Sequence, residues 1–473
     1  MQKTVRENSD NTPMAAPNVI WITLDSVRSD HTTIGGYERD TTPYLADLAS
    51  AGFGFDTCIS HGNSTHPSSG TILTGLSPSR NTVGITGDVL PDSVTTVSER
   101  FSEAGYHTAC LSRNSYVSSA TGLDRGFDRF QWLASETITE LPLSTLIKYV
   151  RNIRTHSAGL TLDTAKHASP YLMNETAKRW LADMRTEQPF FFYLHYNEPH
   201  RPYYPPLSYI DKYTDDIEMS PREAAEFALD VHYNMEKIVA NGCELDDREW
   251  AALRAMYDAE IAYTDEMIER LVDHVRSLPL EETVIVVTAD HGELFGEYGL
   301  LSHSYVLTDA VTRVPLVLAG LNEELTVGED DLLQHTDVMR TLLEVAGADT
   351  DGMLGVDLRS EQREYAVSQR GPVEFDEFYE YNEDFDASRF HLPALTALRT
   401  DTYRYQESES GSDLFALPDE ESDVTEDRPE IAAELSGSLE KWLDEHGQPV
   451  GAGERGEFSG AVQRQLRDLG YVD

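Results

Sequence analysis

Four short stretches of the chain are apolar almost without interruption: "NVIWITL" (18–24), "PFFFYLHY" (189–196), "TVIVVTA" (283–289) and "VPLVLAG" (314–320). They are rich in β-branched and aromatic residues and too short for buried helices, so they predict strands covered on both faces. Between them the period changes. In "DREWAALRAMYDAEIAYTDEMIERLVDHVRSL" (247–278), Trp250, Leu253, Tyr257, Ile261, Ile268, Leu271 and Val275 recur near helical spacing. "TPYLADLASAG" (42–52) predicts a short helix stopped at Gly52, and "STHPSSGTILTG" a helix entered around Pro67 and closed at Gly75. Residues 96–112 read helix, turn, strand, and a further helix is expected from about Thr336 to Ala346.

Strands of this kind alternating with helices predict an α/β fold with a mainly parallel central sheet and helices on both faces. After about residue 355 the texture changes. Strand-like pieces in 394–406 and a helix over 428–446 predict a small C-terminal α+β subdomain. The expected organisation is a polar tail (1–16), a catalytic domain (17–354) and a C-terminal subdomain (355–473). Segments 134–170 and 202–246 carry little strand pattern and are expected to be lid insertions near a site.

Charge adds a constraint on partners. Among 473 residues there are 83 acidic and 37 basic ones, a net charge of -46. Only seven of the basic residues are lysines. Such a surface repels phosphate backbones and anionic membranes, which argues against nucleic acid as a partner. It is the balance expected of a halophilic host, where dense salt screens carboxylate repulsion. Three cysteines (Cys58, Cys110, Cys243) make no bridge framework and fit a reducing compartment. The N-terminus lacks a signal-type apolar segment, and no apolar run reaches the roughly 20 residues of a membrane span. A cytoplasmic location is the expectation.

In open parallel sheets, sites form at the carboxyl ends of the strands. Three predicted strands end in coordinating residues: Asp25 in "ITLDSVRSD", His195, Glu198 and His200 in "YLHYNEPHRPY", and Asp290, His291, Glu293 and His303 in "VVTADHGELFGEYGLLSH". Asp25, Asp290 and His291 are candidate ligands for one divalent cation, Zn, Mn, Mg or Ca. Alone, Asp25 reads equally well as a helix cap and "DHG" as a turn. His195, inside an apolar run, reads as a satisfied core histidine, and Glu293 and Glu297 as solvated. Arg28, Arg201 and Arg313 read first as structural ion pairs. The coincidence of several such endings, with the Thr/Ser loop at 64–69, favours a site.

These segments resemble the sulfatase family of the alkaline phosphatase superfamily. "NVIWITLDSVRSDHTTIGGYERDTTPYLADLASAG" is similar to the family's opening strand and metal-binding Asp, and "THPSSGTILTG" to its nucleophile signature. "YDAEIAYTDEMIERL" resembles its long helix, and "TADHGELFGEYGLLSH" its second metal-binding segment. "DLFALPDEESDVTE" and "LRDLGYVD" resemble its C-terminal subdomain. The resemblance implies that Asp25, Asp290 and His291 are metal ligands and that Thr65 is the nucleophile and touches the metal. It places His200 on the active-site histidine and His303 where members put a Lys or His facing the leaving group.

Three positions depart from the family. Thr65 stands where the family has a Cys or Ser that matures to formylglycine, Ser69 where it has Arg, and Ser26 where a second Asp is frequent. Formylglycine is therefore not expected. A sulfated threonine, with no second hydroxyl on its carbon, could not expel sulfate as formylglycine hydrate does, whereas a phosphothreonine can be attacked by water or an alcohol. The expected function is a metal-dependent hydrolase cleaving a sulfuric or phosphoric ester of a small molecule or glycan, with Thr65 as nucleophile. The alternatives are a phosphodiesterase, phosphonate hydrolase or phosphoglycerol-type transferase, and a non-catalytic relative that binds an anion or metal.

Overall fold

The structure is a computed structural model, which describes residues 16–134, 137–161, 163–184, 188–456 and 458–468. The predicted N-terminal tail lies almost entirely outside them. Seven strands form the central sheet: β1 (Asn18–Leu24), β2 (Phe53–Ile59), β3 (His107–Ser112), β4 (Arg129–Trp132), β5 (Phe190–Tyr196), β6 (Thr283–Ala289) and β7 (Arg313–Ala319). Their spatial order is β2-β7-β6-β1-β5-β3-β4. β1 pairs in parallel with β5 and β6, and β3 with β4 and β5. β7, one of the four apolar runs, is antiparallel to both its neighbours. Apolar continuity reports burial, not strand direction. All seven residues of β1 and of β5 are buried, as a sheet covered on both faces requires.

Registry sets where the chemistry falls. Thr23 of β1 pairs with His195 of β5 and with Thr288 of β6, and Ser112 of β3 also pairs with His195. The carboxyl ends of four adjacent strands thus open at one level.

The helices secure these ends. α1 (Pro43–Ser50) starts on Pro43, and its first N–H groups, those of Tyr44 and Leu45, donate to the Asp265 carboxylate at 2.9 and 3.0 Å. α2 (Thr65–Thr74) is buried along its whole length and ends on Gly75 in the left-handed region (φ 71°), where a Cβ would meet Met353. α3 (Asp247–Ser277) opens with a capping box between Asp246 and Glu249. Its Tyr257 hydroxyl donates to the carbonyl of Ser26 (2.6 Å) and accepts from the amide of Arg28 (3.0 Å), which ties down the loop after β1. α4 (His335–Ala346) matches the expected helix to within a residue.

The C-terminal subdomain is a four-stranded antiparallel sheet, β8 (Ala366–Arg370), β9 (Leu395–Arg399), β10 (Tyr403–Ser408) and β11 (Gly411–Ala416), in that order. α5 (Pro429–His446) packs Leu435, Leu439 and Trp442 against Val367, Leu398 and Leu414 of this sheet. It joins the larger layer through the amide of Gln369, which donates to the carbonyl of His61 at 2.8 Å. The segments predicted as lids hold helices, among them α6 (Leu143–Asn152) and α7 (Pro221–Tyr233), and a last helix, α8 (Gly460–Asp468), lies beyond those foreseen.

Candidate active site

Asp25 follows β1 directly and Asp290 follows β6, so both carboxylates project at the sheet's carboxyl edge, fully buried. His291 completes this pair. Its Nε2 lies 3.5 Å from Asp25 Oδ1 and 3.7 Å from Asp290 Oδ1. The Nδ1–H of His291 donates to the carbonyl of Gly292 at 2.8 Å, which leaves a lone pair on Nε2. Thr65 is the first residue of α2. Its Oγ1 stands 3.4 Å from both Asp25 Oδ2 and His291 Nε2.

The loop residues hold the carboxylates in place. Ser26 donates its hydroxyl to Asp25 Oδ1 (2.9 Å) and its amide to Asp290 Oδ1 (3.2 Å), from a left-handed backbone with φ 67°. The amide of His291 also donates to Asp290 Oδ1 at 2.9 Å. Asn114, just past β3, donates from Nδ2 to Asp25 Oδ2 at 2.8 Å and reaches Thr65 Oγ1 at 3.4 Å.

Two carboxylates this close in a dry site oppose each other's ionisation. Burial works to raise Asp25, but the neighbouring imidazoles of His200, His291 and His195 outweigh it and hold its carboxyl well below the usual range. Burial and the Asp25 charge push Asp290 the other way, up. Such a pair invites a cation. Asp25, His195 and Asp290 bring ligand-type atoms within 4.8 Å of one another, and His291 Nε2 and Thr65 Oγ1 face the same carboxylates. Hard carboxylate oxygens with an imidazole suit a divalent ion.

His200 borders a cavity, and His303 lies buried beside it. His200 Nδ1–H donates to the Arg201 carbonyl at 2.9 Å, and its ring meets that of His303 edge-on at 5.5 Å. The His303 ring lies 4.1 Å from that of His291. Burial keeps both imidazoles neutral, with His200 pushed down to about 4 and His303 well below its ordinary value. The structure therefore brings Asp25, Thr65, His200, Asp290, His291 and His303 into one constellation.

Some sequence expectations need correction. Glu293 is not solvated. It is fully buried, its carboxyl pushed up by that burial, with Oε1 3.2 Å from His303 Nδ1. Glu297 is only half exposed and pairs with Arg28 at 2.6 Å. His195 is buried, as a core histidine should be, but only one of its nitrogens is satisfied. Nε2 has no hydrogen-bond partner and lies 4.0 Å from Asp25 Oδ2 and 3.8 Å from Asp290 Oδ2. Asn114 was not foreseen, because nothing in "LSRNSYV" marks one polar residue above its neighbours; only the pairing of β3 beside β5 brings it to Asp25. Of the three arginines, Arg28 and Arg313 are ion pairs, with Asp30 and Asp56, while Arg201 lines a cavity.

That cavity, of about 330 Å³, opens beside His200. Its walls include Arg113, Glu198, Arg201, Glu260 and Arg464, with residues 163–165, 167, 168, 202 and 204 from the two predicted lid segments. Among the described residues no helix is long and apolar enough to cross a membrane.

Comparison with known proteins identifies the family and agrees with the fold. The sulfatase family profile matches residues 17–348. A sulfatase of Formosa agariphila is 25% identical over 434 residues, covering 84% of this chain and 80% of that protein. An arylsulfatase of Clostridium perfringens is 25% identical over 364 residues, covering 70% and 75%. The crystal structure of a phosphonate monoester hydrolase of Agrobacterium radiobacter superposes with a TM-score of 0.71 at 20% identity, covering 91% of this chain and 96% of that one.

Proposed function

Given that the chain belongs to the sulfatase family and is an ester-bond hydrolase, we propose that it cleaves a phosphoric or sulfuric ester of a small molecule or glycan with Thr65 as its nucleophile. The observation that carries this reading is the place of the Thr65 hydroxyl. It stands at the first residue of α2, 3.4 Å from Asp25 Oδ2 and from His291 Nε2 and within reach of Asn114.

The donor set fits a divalent ion held by Asp25, Asp290 and His291, with Thr65 Oγ1 beside it. Such an ion, when bound, makes a neighbouring hydroxyl more acidic and offsets charge on the ester's oxygens. The chain's own groups do the rest. Thr65 loses its proton to solvent, and Oγ1 forms a bond to phosphorus as the bond to the leaving oxygen breaks. Asn114 holds both the threonine and the carboxylate for that attack. His200 and His303 are neutral before substrate arrives. A bound anionic ester raises imidazole basicity, so one of them takes up a proton and delivers it to the leaving oxygen. Water then attacks the phosphothreonine and releases phosphate and Thr65.

Thr65 favours a phosphorus ester over a sulfate, since a sulfated threonine has no second hydroxyl through which to expel sulfate. The cavity beside His200 is the proposed place of the leaving group, with the segments 134–170 and 202–246 as the lids that select it. The test is turnover of an aryl sulfate, an aryl phosphate monoester and an aryl phosphonate monoester in molar salt. Mn, Zn, Mg or Ca is supplied in turn, with Thr65→Ala alongside. Phosphorus turnover that disappears in the variant is expected. Sulfate turnover that survives in Thr65→Ala would overturn the threonine as nucleophile.

A further inference from the structure

His195 sits where distance alone would make it a metal ligand, yet its hydrogen bonds assign it a different role. Trp21 and Thr23 of β1 stand directly across from Tyr193 and His195 of β5, on one face of two paired parallel strands. All four side chains are fully buried. An indole N–H can only donate. Trp21 Nε1 donates to Thr23 Oγ1 at 3.1 Å, and Thr23 passes its one proton to the Tyr193 hydroxyl at 3.1 Å. The phenol, kept protonated by its burial, lies 3.2 Å from His195 Nδ1. With Thr23 donating to its oxygen, the phenol is placed to give its own proton to Nδ1, and a neutral imidazole that accepts at Nδ1 carries its hydrogen on Nε2.

We propose that His195 is a positioning residue, a fixed hydrogen-bond donor aimed at the paired carboxylates of Asp25 and Asp290, and not one of the residues that hold the cation. His291 supplies the contrast. Its Nδ1–H is spent on the Gly292 carbonyl, so its Nε2 offers a lone pair to the same carboxylate pair. Two imidazoles face one site as opposite tautomers, one built to coordinate and one built to donate. The Nε2–H of His195 reaches toward Asp25 Oδ2 and Asp290 Oδ2, at 4.0 and 3.8 Å. These contacts exceed hydrogen-bond length as they stand, and a small inward shift of either carboxylate would close one of them. In that role His195 turns the Oδ2 atoms toward itself and leaves the Oδ1 atoms to face His291. The inference rests on the proposed cation site but not on which ester is cleaved.

The test is nitrogen NMR of the full chain with ¹⁵N-labelled histidine, with and without Mg or Zn, together with metal titration by calorimetry. His195 should show a protonated Nε2 and a bare Nδ1 in both states, and Tyr193→Phe should move the Nδ1 signal. His195→Gln, which keeps an N–H near the Nε2 position, should bind one ion per chain with affinity within about tenfold of wild type. His195→Phe should lose roughly 10–100-fold, the range for an outer partner of a ligand, with the stoichiometry unchanged, while His291→Phe abolishes binding. An unprotonated Nε2 in the metal-loaded protein, or loss of the ion in His195→Gln, would overturn the role of His195 alone. Failure of the wild-type chain to bind any divalent ion would overturn the cation site on which it rests.

Discussion

Ser26 donates its hydroxyl to Asp25 Oδ1 at 2.9 Å from a backbone held in the left-handed region. A serine at φ 67° is strained, and strain of this kind persists where the surroundings over-determine it. Here the Ser26 amide is tied to Asp290 and its carbonyl to Tyr257. In the family this position is frequently a second aspartate. Ser26→Asp would add a third carboxylate to a dry cluster. Without metal the variant is expected to be destabilised by roughly 3 kcal/mol, the cost of an uncompensated buried charge. With metal it should bind the ion more tightly, since affinity rises with ligand charge. Thermal melts with a chelator and with added Mg or Zn check both halves. An unchanged difference between the two melts would mean that position 26 does not face the ion.

Asn114 is the neutral partner of the same carboxylate. Its Nδ2 donates to Asp25 Oδ2, and its Oδ1 accepts the Tyr116 amide at 2.9 Å, so the side chain is locked from both ends. Asn114→Ala is expected to lower kcat by roughly 10–100-fold, as loss of an outer partner of a metal ligand does. KM should change little, because Asn114 touches the nucleophile rather than the leaving group. Steady-state kinetics on the best aryl ester separates these. A variant with raised KM and normal kcat would place Asn114 on the substrate side.

Most of the frame was legible because it depends on local pattern. The apolar runs became β1, β5, β6 and β7, and the spacing of Trp250 to Val275 became α3. Asp25, Asp290 and His291 could be named because each follows a strand end. What escaped depends on registry. His195 reads as core from its neighbours Leu194 and Tyr196, and only the pairing Thr23 to His195 brings its ring beside two carboxylates. Glu293 reads as a charged residue in a polar loop, and only the fold around His303 closes it from water. β7 was foreseen as a strand, but its antiparallel direction follows from where the chain re-enters the sheet, which no residue of "VPLVLAG" encodes.

The charge imbalance predicts salt dependence. The strongest pairs already consume arginines, as in Arg28 with Asp30 and Glu297, Arg399 with Asp309, and Arg404 with Glu420. With 83 acidic and 37 basic residues, a net charge of -46, most carboxylates have no Lys or Arg to pair with one to one. Their repulsion extends about 10 Å at 0.1 M salt and about 3 Å at 1 M. Circular dichroism should show the folded chain in molar salt and a lower melting temperature or loss of structure in dilute buffer. Full stability in dilute buffer would sink the halophilic reading.

Acid should destabilise the fold through histidines that are buried neutral. Burial pushes His66 down to about 3, and His156 and His335 down to about 4. His156 stacks on Tyr171 with ring centres 4.2 Å apart, and its Nε2 accepts from Arg270 at 3.3 Å, which further opposes a second proton. The ordinary value of 6.5 applies in the unfolded chain. Between pH 6.5 and about 4 the unfolded state therefore binds more protons than the folded one, so stability rises with pH across that window. The contribution is complete above pH 6.5 and is lost as pH falls toward 4. Asp265 works in the opposite sense. Its carboxyl is pushed up by burial to about 7 from 3.8, so its contribution falls as pH rises between those values. The wild-type slope is the difference of these effects, and a single substitution isolates one of them. His156→Phe keeps the stack on Tyr171 and cannot titrate. Near pH 5 the gain of stability per pH unit should be lower than in wild type, by up to about 1.4 kcal/mol, the weight of one proton, whatever the sign of the wild-type slope. Urea unfolding of both proteins in molar salt at pH 5, 6 and 7 measures this. Parallel pH profiles would mean that His156 takes up its proton as readily in the folded chain as in the unfolded one.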